Sequence, residues 1–303
     1  MASARETVAR STPKLEPVAR RVPRVDFLGI GAQKAGTSWL HRMLGAHPQI
    51  FMAQAEDKDL KFFSAHYDYG YAWYERHFAD DGGAARRGEF STSYFYSQEA
   101  PARVRRYNPD VRLVLSLRDP VDRLVSHHRH EIRTGRLGAG VPLEVGLASN
   151  PSYVEQSMYF TQLARWLEHF PLASFHIVIF EELFRDPARA LRDLYEFVGV
   201  SPSFVPSSMH EKVNEGRVPR SRLVDKGVQL STAALRAVGA GRLVESLKKT
   251  GLEKKVKAAN SRAGGALDPR LAARLHEAFA AENEKLANLL ERDLSIWNRT
   301  STS

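Results

Sequence analysis

The chain has 303 residues, 43% of them hydrophobic and 26% charged, a globular composition with room for one large α/β domain or two small ones. It contains no cysteine, which excludes disulfides, thiolate metal sites and cysteine nucleophiles. Its net charge of +9 suits either an arginine-rich soluble protein or one that meets an anionic ligand such as a nucleotide, a glycan or a nucleic acid, and does not choose among them.

Residues 1–24 are basic, polar and dotted with proline. They lack the apolar stretch of a secretory signal, and their glutamates argue against a transit peptide, so a flexible tail is expected up to Val25. No apolar run approaches the roughly 20 residues of a membrane span. "VDFLGI" (25–30) reads as a buried strand. "TSWLHRMLGAHP" (37–48) reads as a helix with Thr37 as its cap. "VRLVLSLRDP" (111–120) is a second buried strand, and Pro120 opens a helix. "SYVEQSMYFTQLARWLEHF" (152–170) has amphipathic helical spacing, "SFHIVIFEEL" (174–183) is a third strand, and "DPARALRDLYEFVGV" (186–200) is a helix ending at Gly199. Residues 220–258 are basic and weakly patterned, as in a peripheral or lid-like helical segment, and 267–294 form a long closing helix. Strands alternating with helices predict a three-layer α/β fold, a central parallel sheet flanked by helices, with 25–303 as one domain and its site at the carboxyl ends of the strands.

"GIGAQKAGTSWL" (29–40) lies at a strand–turn–helix junction, the context of a phosphate-binding loop. Gly31 and Gly36 have the spacing of a triphosphate loop, but Thr37 stands where that loop has its lysine, and the lysine, Lys34, lies inside the turn. Backbone N–H groups at the start of a helix attract an anion, and the Thr37 and Ser38 hydroxyls add donors. A triphosphatase also needs a magnesium carboxylate; Asp119, beside Arg118, is a poor one. The loop therefore suits an anion that needs no metal.

"LSLRDPVDRLVSHHRH" (115–130) offers a second anion site. Arg118 ends a strand, and Ser126 lies about two helical turns further on. The guanidinium fork favours a phosphate, against the plainer reading of a surface ion pair with Asp119 or Asp122. Anion sites on two neighbouring strands predict a ligand with a phosphate at each end, such as a nucleoside 3′,5′-bisphosphate.

Taken together, these motifs resemble those of sulfotransferases that use 3′-phosphoadenosine 5′-phosphosulfate (PAPS), nearest to the branch of heparan-sulfate sulfotransferases and their bacterial relatives. "GAQKAGTSWL" is similar to that family's 5′-phosphosulfate loop and "LRDPVDRLVSHH" to its 3′-phosphate motif, and the likeness runs from about Val25 to Trp297. The resemblance implies a P-loop-like fold and in-line, metal-independent transfer of a sulfuryl group from PAPS, leaving 3′,5′-ADP. It assigns Lys34 to the bridging oxygen, the backbone and hydroxyls of Ala35, Gly36, Thr37 and Ser38 to the 5′-phosphate, and Arg118 and Ser126 to the 3′-phosphate. The branch has a general-base glutamate in E-x-x-F-F. In "EDKDLKFF" (56–63) Asp59 has that spacing, and Glu56 is reached by ungapped counting from the loop lysine. Arg262 in "NSRAGG" stands for the family's late arginine over the nucleotide, with Arg217 or Arg220 as alternatives.

In "GEFSTSYF" (88–95) Phe90 stands where relatives often carry a lysine, which removes an acceptor-side cation. His127, His128 and His130 read better as structural or exposed than as bases. A P-loop nucleotide kinase needs a lysine after Gly36 and a magnesium carboxylate. A basic nucleic-acid-binding protein needs stacking aromatics, and 220–258 has none. The expectation is thus a cytoplasmic sulfotransferase acting on a hydroxyl, or an amine, of a small-molecule or glycan acceptor, with no metal, no nucleic acid and no membrane as partner.

Overall fold

The computed structural model describes residues 24–54, 59–138, 140–211, 217–219, 261–263 and 267–298. The tail expected over 1–24, all but its last residue, the acidic Glu56 and the whole of 220–258 lie outside these residues.

Strand β1 (Phe27–Gly31) is buried along its whole length, as a strand covered on both faces must be. Helix α1 (Thr37–Ala46) follows, then β2 (Ile50–Met52), short helices α2 (Phe62–Ala65) and α3 (Gly70–Glu75), β3 (Arg86–Phe90) and α4 (Ala100–Tyr107). Next come β4 (Arg112–Leu117), α5 (Pro120–Thr134), α6 (Leu143–Ser149), α7 (Ser152–Glu155), α8 (Tyr159–Leu167), β5 (Phe175–Ile179), α9 (Phe180–Leu183) and α10 (Pro187–Val198). A ribbon of β6 (Arg217–Pro219) and β7 (Ser261–Ala263) and the long α11 (Pro269–Leu290) complete the described chain.

The main sheet is five-stranded in the order β2-β3-β1-β4-β5, and every pairing in it is parallel. Successive residues of β1 face opposite layers. Leu28 and Ile30 pack with α2, α4, α8 and α11 on one side, through Phe62, Val104, Trp166 and Leu286. Phe27 packs with α1 and α10 on the other, through Trp39, Leu40, Leu194 and Tyr195. This is the three-layer α/β architecture expected from the sequence.

Differences from the expected elements have local causes. The cap of α1 falls on Gly36, in a left-handed conformation with φ 84° and no capping side chain, rather than on Thr37. The helix expected over 152–170 is broken between α7 and α8. The buried Arg123 guanidinium donates to Ser157 Oγ at 2.6 Å and to the Tyr153 carbonyl, the acceptor that Ser157 N–H would use in a continuous helix; that N–H bonds the Val154 carbonyl instead at 2.8 Å. The strand expected over 174–183 stops at Ile179, where the chain turns directly into α9. Strands β2 and β3 have no sequence expectation at all. β3 begins with Arg86 and Arg87, whose side chains leave the sheet: Arg86 donates to the Val198 carbonyl at the end of α10, and Arg87 pairs with Asp81 and Asp26.

Close approach at the centre of the sheet demands glycine. A Cβ on Gly29 would lie 2.1 Å from the Phe90 ring. Gly29→Ala is expected to cost about 1–3 kcal/mol by forcing the buried ring aside; denaturant unfolding reads this, and an unchanged midpoint would contradict the packing described.

Candidate active site at the carboxyl edge of the sheet

Four strands end around one cleft of about 310 Å³. The loop after β1 supplies Lys34, Gly36, Thr37 and Ser38; the turn after β3 supplies Thr92; β4 leads into Arg118; β5 leads into Phe180. Asp59 and the α5 residues Ser126, His130 and Arg133 complete the wall. The strand order reverses direction at β1: the chain leaves β1 through α1 on one face for β2, and crosses from β3 to β4 through α4 on the other face, and this is where an open α/β sheet forms its crevice.

The loop is fixed from below. Ala32 N–H donates to the Ser116 carbonyl at 2.7 Å, and the Ser116 hydroxyl donates to the Ala35 carbonyl. Ala35 is fully buried and its N–H reaches the Ala32 carbonyl at 3.3 Å, so of the proposed phosphate residues it is the one turned away from the cleft. Gly36 packs against the Phe180 ring, 2.9 Å from where a Cβ would sit, and its positive φ disfavours any side chain. With no side chain capping α1, its first N–H groups are left to the cleft. Lys34 adopts φ 73°, an uncommon conformation for a residue with a Cβ.

Arg118 reaches the cleft while its Nη2 bonds Asp122 at 3.1 Å, so the surface ion pair weighed from the sequence does form. The guanidinium also lies 4.5 Å from the centre of the Phe180 ring. Its Nε is buried without a hydrogen-bond partner among the described residues. Asp119 is committed elsewhere: its carboxylate caps α5, accepting from Val121 N–H at 2.8 Å and Asp122 N–H at 3.0 Å. Burial raises its pKa to about 6.

Asp59 lines the same cleft. Its Oδ2 accepts from Thr92 Oγ1 at 2.9 Å and from Thr92 N–H at 3.4 Å. His130 is held down to about 4, first by burial and then by the positive charges of Lys34, Arg133 and Arg136. It is therefore neutral at physiological pH, with Arg133 Nη2 3.0 Å from its Nδ1. His127 and His128 are interior: His127 stacks on Tyr153 at 4.6 Å, and the His128 ring nitrogens lie 3.2 Å from Tyr153 Oη and 2.8 Å from the Val141 carbonyl. Phe90, standing in place of a lysine, is fully buried under Gly29.

The structure thus brings together Lys34, Gly36, Thr37, Ser38, Asp59, Arg118 and Ser126, residues spread over more than 90 positions of sequence. Arg262 lies in β7 opposite Val218, on a ribbon that runs beside α5; Arg220 lies outside the described residues. Thr92, His130, Arg133 and Phe180 were not singled out from sequence as cleft residues. His130 and Arg133 follow Ser126 by four and seven positions and so share its helical face, a signal the sequence did carry. Phe180 was hidden inside the strand expected over 174–183, which ends one residue before it at Ile179.

An α/β sheet with a cationic cleft at its carboxyl edge and a carboxylate across from the cations defines a class of anion-handling enzyme scaffold. Sequence comparison supplies the family. The Sulfotransferase domain model matches residues 24–219, and the chain belongs to the sulfotransferase family. It is 31% identical over 206 residues to heparan sulfate glucosamine 3-O-sulfotransferase 3A1 of Homo sapiens, covering 64% of this chain and 50% of that protein. It is 32% identical over 190 residues to heparan sulfate glucosamine 3-O-sulfotransferase 6 of Mus musculus, covering 61% and 54%. The chain therefore spans about half the length of these curated relatives. A crystal structure of a sulfotransferase from Alicyclobacillus acidocaldarius superposes with a TM-score of 0.67 at 25% identity, covering 91% of this chain and all of that one.

Proposed function

We propose that the protein transfers a sulfuryl group from PAPS to a hydroxyl, or an amine, of a glycan or small-molecule acceptor, in line and without a metal. The observation that carries this reading is the convergence of Lys34, the open start of α1, Arg118, Ser126 and Asp59 in the lining of one cleft. Two separate groups of anion donors match a ligand phosphorylated at both ends. The commitment of Asp119 to the α5 cap counts against its use as a magnesium carboxylate, and so against the kinase reading.

The donor, when bound, supplies an activated sulfuryl group on its 5′-phosphate. The N–H groups of Gly36, Thr37 and Ser38 and the two hydroxyls hold that phosphate at the positive end of α1. Arg118 and Ser126 hold the 3′-phosphate and set the register. Asp59 accepts the proton of the acceptor hydroxyl as the new S–O bond forms. Lys34 offsets the negative charge that the leaving 3′,5′-ADP gains as the old S–O bond breaks. The acceptors named for the relatives, glucosamine units of heparan sulfate, support a hydroxylated glycan as one acceptor class, and a bifunctional N-deacetylase/N-sulfotransferase among the relatives supports the amine.

Calorimetric titration with 3′,5′-ADP in the presence of a chelator tests the donor, and a labelled-donor transfer screen against glycans and hydroxylated metabolites tests the acceptor. Arg118→Ala is expected to weaken 3′,5′-ADP binding by about 10- to 100-fold, the loss of charge-assisted hydrogen bonds to one phosphate. Magnesium-dependent binding of ATP with no binding of 3′,5′-ADP would overturn the proposal.

A further inference from the structure

We propose that Glu89 is a positioning residue for the reaction, holding the Asp59 carboxylate in place through Ser91 and the Lys61 backbone. The inference rests on the reading of Asp59 as the general base.

Glu89 is the penultimate residue of β3, a strand with no sequence expectation, and is 1% exposed. Three hydroxyls donate to its carboxylate: Tyr74 to Oε1 at 3.2 Å, Tyr94 to Oε1 at 2.6 Å and Ser91 to Oε2 at 2.8 Å. The Ser91 oxygen in turn accepts the Lys61 N–H at 2.8 Å. One residue further along, Thr92 donates to Asp59 Oδ2 at 2.9 Å. The end of β3 therefore grips the Asp59–Lys61 turn at both its ends. The grip has work to do, because Lys61 adopts φ 53°, a conformation that a residue with a Cβ takes only under constraint.

A carboxylate is suited to this place because it accepts from every side. The Oε2 acceptor takes the Ser91 proton, and the Ser91 oxygen accepts from Lys61 N–H, so the hydroxyl is fixed from both sides. A glutamine amide would set its oxygen toward the two tyrosines and its NH₂ toward Ser91, whose oxygen would then accept from both that NH₂ and Lys61 N–H while its own proton lost the Glu89 acceptor. The acceptor-only form is the ionised one: burial, with the Asp59 charge adding to it, raises the Glu89 pKa to about 7, so this form fills as the pH rises through that value. The Tyr74 and Tyr94 phenols, pushed well above their ordinary range by burial and by Glu89 itself, remain neutral donors.

The test measures kcat, acceptor KM, 3′,5′-ADP affinity and thermal stability for Glu89→Gln and Ser91→Ala, each in the wild-type and the Asp59→Asn background. Both variants are expected to lower kcat by about 10- to 100-fold, the size of effect a small misplacement of a reacting group produces. Acceptor KM and 3′,5′-ADP affinity should stay within about twofold, the donor site being on other strands. In the Asp59→Asn background neither should lower kcat further. Wild-type kcat in both variants, or an equal loss with Asp59 already removed, overturns the inference while leaving the base assignment intact. Wild-type turnover of Asp59→Asn itself overturns the base assignment, and the inference with it. Should Glu89→Gln fail to fold, Ser91→Ala, which leaves the carboxylate and both tyrosines in place, decides alone.

Discussion

Replacing Lys34 with alanine is expected to cut turnover by about 10²- to 10³-fold, the usual consequence of removing one preorganised donor from a developing negative charge. The reason lies in where the charge appears. In the proposed reaction the departing 5′-phosphate gains charge as the bond between sulfur and the bridging oxygen breaks, and Lys34 lies in the cleft wall, in the loop assigned to that phosphate. A cation there stabilises the transition state more than the bound donor, so the loss should fall on kcat rather than on 3′,5′-ADP binding. Lys58→Ala, assayed beside it, should be nearly silent by comparison. A second readout is independent of turnover. The Lys34 charge helps to hold His130 at its depressed pKa, so the His130 titration followed by NMR should move upward in Lys34→Ala. Near-wild-type kcat would remove the leaving-group role, and an unmoved His130 would contradict the proximity on which it rests.

Asp59→Asn is the second large effect, an expected loss of about 10²- to 10⁴-fold in kcat from the removal of a positioned base. Asparagine keeps the Thr92 hydrogen bond and nearly the same shape, so the loss should come without a change in 3′,5′-ADP affinity. The comparison with Glu56→Gln decides between the two carboxylates raised by the sequence. Asp59 is in the cleft wall, and Glu56 lies outside the described residues. If Glu56→Gln shows the larger loss with Asp59→Asn near wild type, the assignment passes to Glu56.

Local chemistry determined what was legible in the sequence. The first loop and the Arg118–Ser126 pair each sit on a short contiguous stretch whose strand, turn and helix are written in apolar periodicity, and the structure puts both at one cleft. Strand β3 was illegible because "RRGEF" has neither alternation nor an apolar run. Its arginines serve the ends of other elements, and its glycine makes room for Phe27. With β3 unseen, the contact between Thr92 and Asp59, 33 residues apart, had no basis in periodicity. The break between α7 and α8 was hidden for a similar reason, since it depends on Arg123 from a different helix competing for the Tyr153 carbonyl.

The strand order also governs how the site comes into being during folding. β1 pairs with β3 on one side and β4 on the other, both far away in sequence and both parallel, so no hairpin or other contiguous fragment contains either wall of the cleft. The anion donors and the Asp59 support become neighbours only when the central three strands are assembled. Loop closures of this length are costly before they are rewarded, which makes such pairings late and slow. The protein is therefore expected to gain its donor pocket and its base together, in one cooperative step, and a refolding chain followed by 3′,5′-ADP binding should become competent no earlier than its tryptophans at the core, Trp39 and Trp166, are buried.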